Sequence, residues 1–135
     1  MKIGFLPFIF LAAALSAEPR VDITKVAGKD KETVDTVLGS PDSSSTSKYG
    51  KKYHYEKGDT EIVFINGLAD WITIYDMDDI TFSPKALEEL GLSVKSPTFK
   101  NDYSMRWSGI SDLLEVSIFK GTNKCDYAYI KTKTK

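Results

Sequence analysis

The side chains able to do chemistry in this chain are few and scattered: one histidine, His54; one cysteine, Cys125; the glutamates Glu61 and Glu115; and the acidic run Asp76, Asp78, Asp79. A single histidine supports neither a zinc cluster nor a nucleophile with a spare base. Cys125 has no partner for an internal disulfide and reads as a small side chain near the edge of a strand. The three aspartates could offer oxygens to calcium, but the glycine and the distal glutamate of a calcium loop are missing, and a solvated linker is the plainer reading. Glu61 and Glu115 stand at equivalent strand starts, and as a pair facing one cleft they could act as acid and base on a glycan. No catalytic set, metal site or cofactor is expected, and the chain reads as a non-enzyme.

The elements around these residues follow from periodicity and turn chemistry. Glu61 to Asn66 and Asp70 to Tyr75 alternate apolar residues around Asn66-Gly67, a two-residue hairpin signal. Lys52 to Glu56 supplies a strand before them, and the serine-rich stretch 42–52 reads as a flexible polar loop. Upstream, Asp30 can cap a helix whose Val34, Val37 and Leu38 share one face and which Gly39 and Pro41 end. The order then recurs. Ser83-Pro84 opens a second helix with Leu87 and Leu90 inward and Gly91 at its end; Met105, Arg106 and Trp107 stand opposite Tyr53, His54 and Tyr55; Glu115 to Ile118 and Asp126 to Ile130 repeat the hairpin.

These readings predict an α+β fold. Two tandem repeats, 18–80 and 81–135, each a helix plus three strands, join into one compact domain with an antiparallel sheet and both helices on one face. Residues 1–17 carry Lys2, an apolar run from Ile3 to Leu15 and small residues at Ser16 and Ala17. That is the pattern of a cleaved signal peptide, too short and too interrupted by Pro7 for a spanning helix. The expected compartment is periplasmic or extracellular, with no integral membrane segment left after cleavage.

Lys and Arg total 18 against 19 Asp and Glu, interspersed along the chain, which excludes the basic surface that nucleic acid requires.

The run Gly28 to Pro41 resembles the signature of the bacterial outer-membrane small protein A family, which includes a lipoprotein of the outer-membrane assembly machinery. The strand at Tyr53 to Tyr55 and the hairpin after it extend the likeness over roughly the first half of the mature chain. With its second copy, the whole is similar to the β-lactamase inhibitor proteins, in which two α/β repeats form a long sheet whose concave face grips an enzyme. The resemblance implies a fold and a protein partner. No cysteine stands at the mature start, where the assembly lipoproteins carry their lipid, and no inhibitory loop matches residue by residue, so no residue's role is carried over.

Strand alternation divides the sheet into two faces. Ile62, Phe64, Ile72, Ile74, Val116, Ile118, Ala128 and Ile130 should meet the helices. Trp71, Tyr75, Phe119, Tyr127 and Tyr129, with His54 and Arg106, should form an open aromatic face, with Trp71 next to Tyr127 or its neighbours. Trp, Tyr and Arg are the residues enriched in binding hot spots. The expected function is an exported small binding protein, acting as inhibitor, immunity factor or envelope-assembly helper, as a monomer or a homodimer. The alternative is a module that binds or hydrolyses cell-wall glycan.

Overall fold

The computed structural model describes residues 18–135; the leader assigned to 1–17 lies outside them. Eight strands make one sheet: β1 (Ser43–Thr46), β2 (Lys51–Tyr55), β3 (Thr60–Ile65), β4 (Leu68–Ile74), β5 (Phe99–Lys100), β6 (Ser104–Ser108), β7 (Glu115–Lys120) and β8 (Cys125–Lys131). Their order is β1-β2-β3-β4-β8-β7-β6-β5, and every pairing is antiparallel. Among the described residues the one α-helix, α1 (Lys31–Leu38), is joined by a seven-residue 3-10 segment, Pro84–Leu90, and by three 3-10 turns of three residues each.

Over the described residues the fold is therefore mainly β, a single eight-stranded sheet with only two helical segments longer than three residues, and the expected pair of helix-plus-three-strand repeats is corrected. Two strands were missed for the same reason. β1 is built from Ser-Ser-Ser-Thr with every residue exposed, and β5 has only two residues. Both lie at sheet edges, where backbone pairing needs no apolar side chain and leaves no alternation to read. The second helix was misjudged because Ser83 makes no side-chain cap bond and Pro84 begins a run that tightens into 3-10 geometry. Its Ala86, Leu87 and Leu90 are nevertheless buried.

Local chemistry accounts for the parts that form as the residues suggest. Asp30 accepts from the Thr33 amide at 2.9 Å, and Gly39, at φ 87°, ends α1. Asn66 and Gly67 both take positive φ, 54° and 79°, as a two-residue hairpin turn requires. Val34 and Leu38 of α1 pack with Leu87 and Leu90 into one cluster with Ile62, Phe64, Ile72, Ile74, Val116, Ile118, Ala128 and Ile130. Each such buried aliphatic side chain contributes about 1.5–3 kcal/mol. Tyr55 crosses from β2 to donate to Asp35 Oδ1 at 2.8 Å, and burial pushes its hydroxyl pKa up. Trp107 donates from Nε1 to the Lys95 carbonyl at 2.8 Å.

Gly50, just before β2, lies so close to β3 that an added Cβ would run into the carbonyl oxygen of Phe64. Backbone cannot retreat as a flexible side chain can. Gly50→Ala is expected to push β2 off β3 at Lys51 and cost about 1–3 kcal/mol. Thermal unfolding should show the loss, and hydrogen exchange should show it concentrated at the start of β2. Unchanged exchange there would mean the strands already have slack.

Candidate functional site

The register builds the open face row by row. Ser43, His54, Glu61, Thr73, Tyr129, Ser117, Arg106 and Phe99 are successive cross-strand partners from β1 to β5. His54 and Arg106 thus share one row on one face with Tyr129 and Phe99, and the remaining aromatics lie in the rows on either side. On one flank Tyr75, Tyr127 and Phe119 form a cluster, with ring centroids 6.1 Å apart for Tyr75–Tyr127 and 4.6 Å for the stacked Phe119–Tyr127. On the other flank Trp71 pairs with Lys131, whose Nζ lies 5.9 Å from the indole centroid. Of Tyr127 and its neighbours, it is not Tyr127 itself that adjoins Trp71: four residues of strand register separate their rows, and the row of His54, Tyr129 and Arg106 runs between them. Tyr129, diagonal to Trp71, is the aromatic that bridges the two flanks, and burial raises its pKa.

Three participants were not anticipated. Tyr49, from the turn between β1 and β2, covers Trp71 with centroids 4.9 Å apart, while its own ring remains 52% exposed. It is the one aromatic residue in the serine-rich stretch 42–52, which was the available signal. Phe99, on the edge strand β5, stacks under Arg106, whose guanidinium carbon is 4.8 Å from the ring centroid. Lys131 pairs with Asp70, the extra residue where β4 bulges against β3.

Trp71 holds the one unsatisfied polar atom found among buried side chains of the described residues: its Nε1 is shielded from water and has no acceptor. Leaving a buried donor unpaired costs about 1–3 kcal/mol. Trp71 also lines a cleft of about 340 Å³ together with Ser47, Lys48, Tyr49, Lys52, Glu61, Val63 and Thr73.

His54 is held from both sides, with Nδ1 2.7 Å from Asp42 and Nε2 2.6 Å from Asp59. Two carboxylate acceptors require both ring nitrogens to carry protons, so the arrangement favours imidazolium. The bonds to Asp59 and then Asp42 raise the His54 pKa, and His54 in turn lowers that of Asp42. Glu61, its cross-strand partner, adds a further negative group on the same face. The raised histidine contributes stability that is complete below its unfolded pKa and is lost as pH climbs through the folded value. The lowered aspartate contributes above its unfolded value and loses this on acidification. His54→Gln should therefore lower the melting temperature most between about pH 4.5 and 6.5, with the gap to wild type closing at alkaline pH. A gap that stays the same from about pH 5 into the alkaline range would show that the pairs add nothing.

The other chemical candidates separate. Glu61 and Glu115 share the open face, but three strand spacings and two residues of register lie between them, roughly 15 Å. Paired carboxylates on a glycosidic bond stand about 5–9.5 Å apart. Glu61 instead lies 3.8 Å from Lys52, and Glu115 accepts from Ser117 Oγ at 2.7 Å. The carboxylates of Asp76, Asp78 and Asp79 do come together, yet Arg20 reaches Asp76 at 3.2 Å and Asp79 at 2.7 Å, so the run serves to hold the N-terminal segment. Cys125 is buried, which pushes its thiol pKa up to about 11.

Among the described residues no helix is long and apolar enough to cross a membrane. Comparison with protein-family models, with curated proteins and with solved structures returned no match.

Proposed function

We propose that this protein is an exported binding module, periplasmic or secreted, that presents the open face of its sheet to a protein partner as an inhibitor, immunity factor or assembly helper. The observation that carries this reading is the division of the two faces. The α1 helix and the Pro84–Leu90 segment pack into the aliphatic cluster on one side. The other side carries a mostly polar row across all eight strands, with Tyr129 and Phe99 in it, flanked by Tyr75–Tyr127–Phe119 and by Tyr49–Trp71. A sheet face with aromatic groups at both flanks and Arg106 and His54 between them has the composition of a hot-spot surface. Large apolar patches are seldom left exposed without a use.

The test is affinity capture of the tagged protein from envelope and secreted fractions of its host, run in parallel with Trp71→Ala and Tyr127→Ala. A specific partner lost from both variants supports the reading, and a partner retained by both removes it. Light scattering separates out self-association. A dimer that Tyr127→Ala dissociates would make a second copy of the chain the occupant of the face.

A further inference from the structure

The Trp71 cleft supplies a chemical specification for part of the partner. An indole N–H can only donate, and in the free protein it has nothing to donate to. The missing group is therefore an acceptor. The cleft lining holds two ammonium groups, Lys48 and Lys52, against one carboxylate, Glu61, and Glu61 is only loosely engaged, 3.8 Å from Lys52. Lys131 approaches the indole from the other side, with its charge balanced by Asp70. An acceptor entering here meets a net positive lining and an apolar wall of Tyr49, Val63 and Trp71.

The cover over this position can move without rebuilding its turn. Ser47 Oγ donates to the Gly50 carbonyl at 2.6 Å and accepts from the Gly50 and Tyr49 amides at 3.1 and 3.2 Å, so the backbone is held by Ser47 rather than by the tyrosine ring. The Tyr49 ring, packed on Trp71, can therefore rotate about its side-chain bonds without breaking any of these turn bonds.

We propose that the cleft between Tyr49 and Trp71 is a subsite for an aspartate or glutamate side chain of the protein partner, flanked by an apolar residue, with Trp71 Nε1 donating to the carboxylate, Lys52 balancing its charge and Tyr49 folding over the empty site. This rests on the reading of the open face as a partner surface. It adds the class of residue that the partner must present.

The experiment uses ¹⁵N-labelled residues 18–135, which hold the whole sheet and its core, titrated with acetyl-Leu-Glu-Leu-amide and with its glutamine isostere. The protein has two indole N–H signals; Trp71→Phe identifies one, and the signal of Trp107, bonded to Lys95, serves as the internal control. The glutamate peptide should shift the Trp71 signal saturably and bind about tenfold more tightly than the glutamine peptide, as expected of a charge-assisted bond over a neutral one. Lys52→Met should reduce that preference, and Glu61→Gln, which removes the competing carboxylate, should increase it. Tyr49→Ala should speed hydrogen exchange of the Trp71 indole without any peptide present. Equal shifts from the two peptides, or no saturable shift, would overturn the proposal. If that happens while host capture still depends on Trp71 and Tyr127, only the subsite is wrong; loss of that dependence removes the face reading itself.

Discussion

Trp107→Ala should unfold the protein at temperatures where Trp71→Ala leaves it intact, although both residues are tryptophans on neighbouring levels of one sheet. Trp107 is 1% exposed on the aliphatic face and its indole bond to Lys95 ties down the segment before β5. Truncating a buried tryptophan costs about 3–5 kcal/mol, a large share of the roughly 5–15 kcal/mol that stabilise a domain. Ile72→Ala, at the centre of the same face, should cost about 2–5 kcal/mol. Trp71 lies half-buried on the open face, and its removal also deletes an unpaired donor, so its loss should be nearer 1 kcal/mol. Denaturant melts check the ranking. The functional half of the expectation is opposite in sign: the stable Trp71→Ala variant loses partner capture. A folded Trp71→Ala variant with full capture would take the open face out of consideration.

Lys131→Met should be the most damaging substitution on the open face. The Asp70 side chain is 3% exposed and that of Lys131 17%, and the ammonium also donates to the Thr132 carbonyl at 3.0 Å and to Thr134 Oγ1 at 2.7 Å. Removing one partner of a buried ion pair leaves the other charge uncompensated and costs about 3–5 kcal/mol. Asp70 occupies the bulge of β4, so the penalty falls at the pairing of β4 with β8 that joins the two halves of the sheet. Adding Asp70→Asn to Lys131→Met removes the stranded charge and should recover most of the loss. A double-mutant cycle read by urea denaturation measures the coupling. Coupling near zero, or a Lys131→Met loss of under about 1 kcal/mol, would show that water already reaches Asp70.

The amino-acid sequence by itself determined what depends on near neighbours. Asp30 caps α1 because its carboxylate reaches an amide three residues on. Asn66-Gly67 turns β3 into β4 because those two residues tolerate positive φ. Period-two alternation placed Ile62, Ile72, Val116 and Ile130 on one face and Trp71, Thr73, Ser117 and Tyr129 on the other, since a strand has no other way to distribute its side chains.

Tertiary structure alone decided what depends on pairing across long separations. β1 and β5 exist because β2 and β6 offer them backbone partners, and an edge strand of serines has no hydrophobic pattern to announce it. The segment Pro84–Leu90 buries the leucines that its spacing marks, but with no side-chain cap at Ser83 it does so as a 3-10 run. The register of β4 against β8 set Trp71 opposite Lys131 and diagonal to Tyr129, four residues of register from Tyr127, which laid the aromatics out as two flanks on either side of the row that holds Tyr129. Tyr49 came over Trp71 from a turn that reads locally as polar loop. Which side chains share a face is a property of one strand, whereas which of them touch is a property of two, and only the folded sheet supplies the second strand.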